Sequence, residues 1–187
     1  MRIAVSGTHF MGKSTLIADF IRAHPDYIAE IEPYYKLQDE DGGEFAQELA
    51  LEDILDQLDN SIENLHCNAN QANIIFDRCP VDFIAYAMYI INQEMVDIND
   101  TSIAEKFPQI QEVLENLDLI VFLPITKEHQ IDPIDYEDPA YRSTIDRYFK
   151  QIYRDEIFDI FPTYDHPKII EIWGTRMERL KKLEAYL

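Results

Sequence analysis

Short apolar runs at residues 2–6, 27–32, 73–77, 118–123 and 168–173 punctuate the chain. Between them lie longer stretches in which apolar residues recur every three or four positions. The runs predict β-strands, and the stretches at 13–23, 44–71, 80–93, 102–116, 139–160 and 175–186 predict helices. Leu49, Leu51, Ile54, Leu55, Leu58, Ile62 and Leu65 show the helical spacing most fully and read as one core-facing stripe. Strands alternating with helices predict a parallel sheet, because parallel strands need crossover connections and right-handed helical ones prevail. The expected fold class is α/β, a three-layer sandwich. Two segments read as loops: 38–43, acidic and glycine-ended, and 125–138, acidic and proline-bearing, which together with the residues to 147 forms a candidate lid. No internal repeat is present, and 187 residues suit one domain.

Charge narrows the function further. With 16 basic against 36 acidic side chains and a formal charge of -20, most of the surface repels phosphate-rich polymers and anionic membranes, so neither nucleic acid nor membrane is an expected partner. A small phosphorylated ligand stays compatible if the few cations gather at one place. Cys67 and Cys79 show no metal-ligand spacing and predict reduced, buried thiols. The first residues read directly as a strand, without a leader-like apolar stretch, and no apolar run approaches the ~20 residues that span a bilayer, so the expected location is cytoplasmic.

The strongest local signal is GTHFMGKS at residues 7–14, a full match to Gly-x-x-x-x-Gly-Lys-Ser/Thr between a predicted strand and a predicted helix. Gly7 and Gly12 let the backbone curl so that N–H groups of the loop Thr8, His9, Phe10 and Met11 turn toward phosphate oxygens at the positive end of the helix. Lys13 supplies a full charge to the terminal phosphates. Ser14 offers a hydroxyl to Mg2+, and Thr15 supports the first turn or an α-phosphate. The motif predicts binding of ATP, or of another purine triphosphate. His9 reads as a solvent-facing or hydrogen-bonded loop residue rather than a base.

A bound triphosphate does not define a reaction, so the carboxyl ends of the other strands carry the next clue. The second strand ends in Glu30-Ile31-Glu32-Pro33, the third in Phe76-Asp77-Arg78 followed by Asp82, and 139–154 holds Arg142, Arg147 and Arg154. Phosphoryl transfer needs a group that positions or deprotonates the nucleophile, a metal ion, and cations on the transferred phosphoryl. Asp77 reads as a magnesium-water acid, as a base, or as an N-cap for the helix starting near Pro80. Glu32 reads as a base or an ordinary strand end, and Arg78 as a phosphate partner or a surface ion pair. Offsets of five, seven and twelve do not put all three later arginines on one helix face, and Arg142 and Arg147 lead because they follow the lid segment. Tyr34, Tyr35, Phe83 and Tyr86 either stack a base or pack a core.

The chain resembles the P-loop nucleoside and nucleotide kinases, especially the AAA-type ATP-binding domain subfamily related to nicotinamide riboside kinases and deoxynucleoside kinases. The likeness is carried by residues 7–16, Glu32-Pro33, Asp77-Arg78 with Asp82, the strand at 117–123 and the arginine-bearing segment after the acidic loop. Deoxynucleoside kinases carry Glu-Pro after the second strand, with the Glu as base, and Glu-Arg-Ser after the third. Here Asp77 stands for that Glu and Cys79 for that Ser. The resemblance implies five parallel strands with the P-loop strand central, and it puts Gly174-Thr175 near a nucleobase. It also implies an acceptor that is nucleoside-like or nucleotide-like. Under this reading Lys13 and Arg142 stabilise transferred charge, Ser14 with Asp77 holds magnesium, and Glu32 is the first choice as base with Asp77 second. An ATPase, a nucleotide-dependent switch or a nucleotide-holding protein without a small-molecule acceptor is the alternative, and homodimerisation is left open.

Overall fold

The computed structural model describes residues 1–31, 50–128, 138–162 and 166–187. Five parallel strands, β1 (Arg2–Ser6), β2 (Ile28–Glu30), β3 (Ile74–Asp77), β4 (Leu119–Phe122) and β5 (Lys168–Glu171), line up in the order β2-β3-β1-β4-β5. The chain leaves β1 toward one edge and returns past it toward the other. A crevice therefore opens at the carboxyl end of β1, between β3 and β4. Backbone bonds just past the strands, from Arg78 to Val5, Leu123 to Ser6 and Ile172 to Phe122, hold the mouths of the strands in register.

Six α-helices occur among the described residues: α1 (Lys13–Ala23), α2 (Leu51–Cys67), α3 (Pro80–Glu94), α4 (Phe107–Leu114), α5 (Pro139–Asp155) and α6 (Arg176–Glu184). Strand alternation sorts them into two layers. Ile3, Val5, Leu119 and Val121 pack with Leu16, Ile17 and Phe20 of α1 and Leu183 of α6. The intervening residues Ala4, Ile120 and Phe122 pack with Ile54, Leu58, Phe83, Ile110 and Phe149 from α2 to α5. This is the three-layer α/β sandwich with the P-loop strand central.

Boundaries differ from the sequence pattern for local reasons. The stretch 102–116 divides into a 3-10 turn, Ala104–Lys106, and α4, because Pro108 in the first turn lacks the N–H needed to continue an α-helix from upstream. Helix α5 stops at Asp155, where Glu156 turns left-handed at φ 47°. Helix α2 keeps the expected stripe, with Ile54, Leu58 and Leu65 buried, while Leu49 lies outside the described residues. Of the candidate lid, residues 129–137 lie outside them too, and 139–147 belong to α5. Cys79 is a buried thiol as expected. Cys67 is exposed at the end of α2, a correction that follows from its place on the helix face opposite the stripe.

Candidate functional site

The turn from β1 into α1 is built on two glycine conformations. Gly7 has φ 140°, and a Cβ there would lie 2.8 Å from the Leu123 carbonyl oxygen, so only glycine fits between β1 and the end of β4. Gly12 is left-handed at φ 79° and forms the N-cap of α1 without any side-chain cap. The first-turn N–H groups of α1 thus have no side-chain acceptor at the cap, at the positive end of an eleven-residue helix. That is the physical basis of an anion cradle. Lys13 is 5 % exposed, and its ammonium donates to the carbonyls of Gly7 at 2.9 Å and Thr8 at 3.0 Å. The Thr8 hydroxyl is buried with no partner among the described residues.

Strand pairing sets Asp77 beside Val5, at the threshold of this turn. The Ser14 hydroxyl donates to Asp77 Oδ2 at 2.9 Å, so a helix that follows the loop and a strand 63 residues later meet through two oxygens. Asp77 is 6 % exposed, and its Oδ1 is buried without a hydrogen-bond partner among the described residues. An unmatched buried acceptor costs about 1–3 kcal/mol, which a cation or its water would recover. A hydroxyl and a carboxylate are the hard oxygen donors that magnesium takes from a protein when phosphates and water complete its shell, so the pair fits that ion. Helix capping does not occupy Asp77. Cys79 is the N-cap of α3, and its N–H donates to Asp82 Oδ2 at 3.1 Å.

Asp82, in the first turn of α3, does more than take the Cys79 N–H. Fully buried, it also accepts the Gly7 N–H at 3.2 Å and pairs with Arg78 at 3.3 Å, tying the loop entrance to α3. Burial pushes its carboxyl up, against the opposing pull of Arg78, Lys13 and a hydrogen bond from Ser6. Arg78, itself buried and at φ 81°, donates to Tyr86 Oη at 3.1 Å and lies 5.2 Å from that ring's centre. His9 stacks on Tyr141 at 5.2 Å and on Tyr86 at 6.0 Å, with Nδ1 3.3 Å from Tyr86 Oη. Burial, reinforced by the charges of Arg78, Lys13 and Arg142, pushes its pKa down to about 3. His9 is thus a neutral, hydrogen-bonded member of an aromatic stack, and Phe83 and Tyr86 belong to the core on that side.

Two buried arginines grip the loop from opposite layers. Arg142 of α5 donates to the Phe10 carbonyl at 3.2 Å and meets Met11 Sδ at 3.0 Å. Arg179 of α6 donates through Nη1 to the Met11 carbonyl and through Nε to the Gly174 carbonyl at 2.8 Å. Gly174, at φ 121°, leads into Thr175, the N-cap of α6, whose hydroxyl and N–H engage Glu178. Arg147 is exposed, 5.4 Å from the Tyr148 ring centre, and is not brought to the loop. Arg154 forms a two-bond pair with Glu171 at 2.6 and 2.7 Å. Glu32, with Pro33, Tyr34 and Tyr35, lies outside the described residues. Sequence reasoning missed Arg179 and Tyr153, whose hydroxyl donates to Ser6 Oγ at 2.8 Å beneath the loop. Only an i,i+4 spacing from Thr175 hinted at the former, and nothing local singled out the latter.

The family model described as "AAA domain" matches residues 2–179. Solved structures similar to this chain include deoxyadenosine kinase from M. mycoides with bound dATP, at 20% identity and TM-score 0.68, covering 100% of this chain and 98% of that one. NadR protein in complex with NR matches at 15% identity and TM-score 0.64, over 99% of this chain and 50% of that one. YorR protein from Bacillus subtilis matches at 14% identity and TM-score 0.61, over 100% and 95%. These likenesses show the fold. No curated protein matches the sequence. No described helix is long and apolar enough to cross a membrane.

Proposed function

Because this chain belongs to the AAA domain family, we propose that it is an ATP-dependent P-loop phosphotransferase that moves the γ-phosphoryl group to a nucleoside-like or nucleotide-like small metabolite. The observation that carries the reading is the Ser14–Asp77 contact at 2.9 Å, beside a glycine-shaped cradle and with one Asp77 oxygen still unmatched. Similar folds with dATP or NR bound support a nucleotide site and a nucleoside-like acceptor.

In this mechanism the α1 N-terminus and loop N–H groups hold the β- and γ-phosphates, and Lys13 and Arg142 face the charge that spreads over the transferred group. Ser14 and Asp77 would hold magnesium, which neutralises phosphate charge when bound. Because Asp77 is engaged with Ser14, Glu32 takes the role of base. The acceptor oxygen forms a bond to the γ-phosphorus as the bond to the β-bridging oxygen breaks. The acceptor proton passes to the Glu32 carboxylate, and ADP leaves. Arg78 orders the loop entrance through Asp82 and Tyr86 rather than through a surface pair. Gly174 and Thr175 adjoin the nucleobase of ATP.

ADP release from ATP and magnesium, measured for wild type, Lys13→Ala and Glu32→Gln across nucleosides and nucleoside monophosphates, tests this. Stimulation by one acceptor that both variants lose supports a kinase. Turnover indifferent to every acceptor would transfer the reading to an ATPase or nucleotide-dependent switch, and binding without turnover would transfer it to a nucleotide-holding protein.

A further inference from the structure

Arg179 has no counterpart in the reaction just described, yet it is 5 % exposed and its guanidinium spans two backbone carbonyls from separate loops. Nη1 holds the carbonyl of Met11, inside the phosphate loop, and Nε holds that of Gly174, at the entry to α6. Burying this charge is costly, and burial draws its pKa down. Structural cohesion alone does not require that cost, because Arg176 already anchors the first turn of α6 to α1 through a two-bond pair with Asp19. Resting on the nucleotide-binding reading above, we propose that Arg179 is a positioning residue. It fixes the Gly174–Thr175 loop at a set distance from the phosphate cradle, so that base and phosphates of one nucleotide are met by a single preorganised surface.

The geometry makes this specific to arginine. Two edges of a planar guanidinium reach two acceptors at once, whereas an ammonium is a point charge that serves one direction well. Removing the fork leaves the cradle with other supports, the Gly7–Asp82 bond and the Arg142 contacts with Phe10 and Met11. The loop at 174 loses its tie to that cradle. Phosphate affinity should therefore survive better than the contribution of the base.

Calorimetric titration with ATP and with inorganic tripolyphosphate, each with magnesium, separates the two. For Arg179→Lys and Arg179→Met the ratio of ATP affinity to tripolyphosphate affinity should fall about tenfold relative to wild type, the equivalent of one charge-assisted hydrogen bond. The tripolyphosphate affinity itself should change less than about threefold. Equal losses for both ligands, or an unchanged ratio, would overturn the proposal and leave Arg179 a structural residue. Thermal melting of Arg179→Lys, which keeps charge and length, shows whether the fold persists. Should wild type bind neither ligand, the nucleotide-binding reading fails before this one is reached.

Discussion

Acid should unsettle the loop through His9. Its ring lies between Tyr86 and Tyr141, and burial with three neighbouring cations pushes its pKa from 6.5 to about 3. A histidine depressed in the folded state takes up its proton more readily when unfolded. Its contribution is therefore intact above about pH 6.5 and declines as pH falls toward 3. Integrating proton uptake from pH 7 to pH 4.5 gives a loss of about 2.5 kcal/mol, and a folded pKa one unit higher changes that by only about 0.2 kcal/mol. Asp82 works in the opposite sense, since burial pushes its carboxyl up and its folded form holds a proton more tightly as pH falls. The wild-type profile alone therefore mixes two effects. The comparison is with His9→Phe, which keeps a ring between the tyrosines and removes the titrating nitrogen. Urea unfolding followed by circular dichroism at pH 7 and at pH 4.5 gives both stabilities. The wild type should lose about 2–3 kcal/mol more than the variant over that interval. Parallel losses would refute the reasoning and mean that His9 is protonated at little cost in the fold.

Gly7→Ala should cost about 2–4 kcal/mol of stability, because a Cβ meets the Leu123 carbonyl at 2.8 Å and φ is 140°, and thermal melting would register it. Asp77→Asn should weaken ATP binding about tenfold or more with magnesium present and much less in EDTA, since it neutralises the carboxylate proposed to hold the metal but keeps an acceptor for Ser14. Equal effects in both conditions would count against the metal assignment. Arg154→Gln, which breaks a pair with Glu171 at the edge of the sheet, should change stability by under about 1 kcal/mol despite its two short bonds, as seen in the melting temperature.

How far the sequence reached follows from what each signal depends on. The five strands and their helices were legible because apolar periodicity is a local property, and the glycine-lysine-serine spacing encodes its own geometry. The pairing of Ser14 with Asp77 was legible in type, since one ends a strand beside the loop and the other starts the helix after it. The contacts of Arg179 with Met11, Tyr153 with Ser6 and Asp82 with Gly7 were not, because each joins residues 75 or more positions apart and depends on how the helix layers seat on the sheet. Arg142 and Arg147 looked alike in sequence. A five-residue offset turns them about 140° apart on α5, which buries one against Phe10 and exposes the other.

The inward turn of Lys13 bears on how a nucleotide arrives. Its charge is sunk beneath the surface and directed at two carbonyls, so an approaching polyanion feels little of it at long range. What it meets first on approach is a molecule of formal charge -20. Encounter is therefore uphill once the ligand comes within about one Debye length of the surface, ~10 Å at 0.1 M salt, and attraction begins only inside the crevice. Added salt should quicken capture rather than slow it, the reverse of the behaviour of a basic phosphate-binding surface.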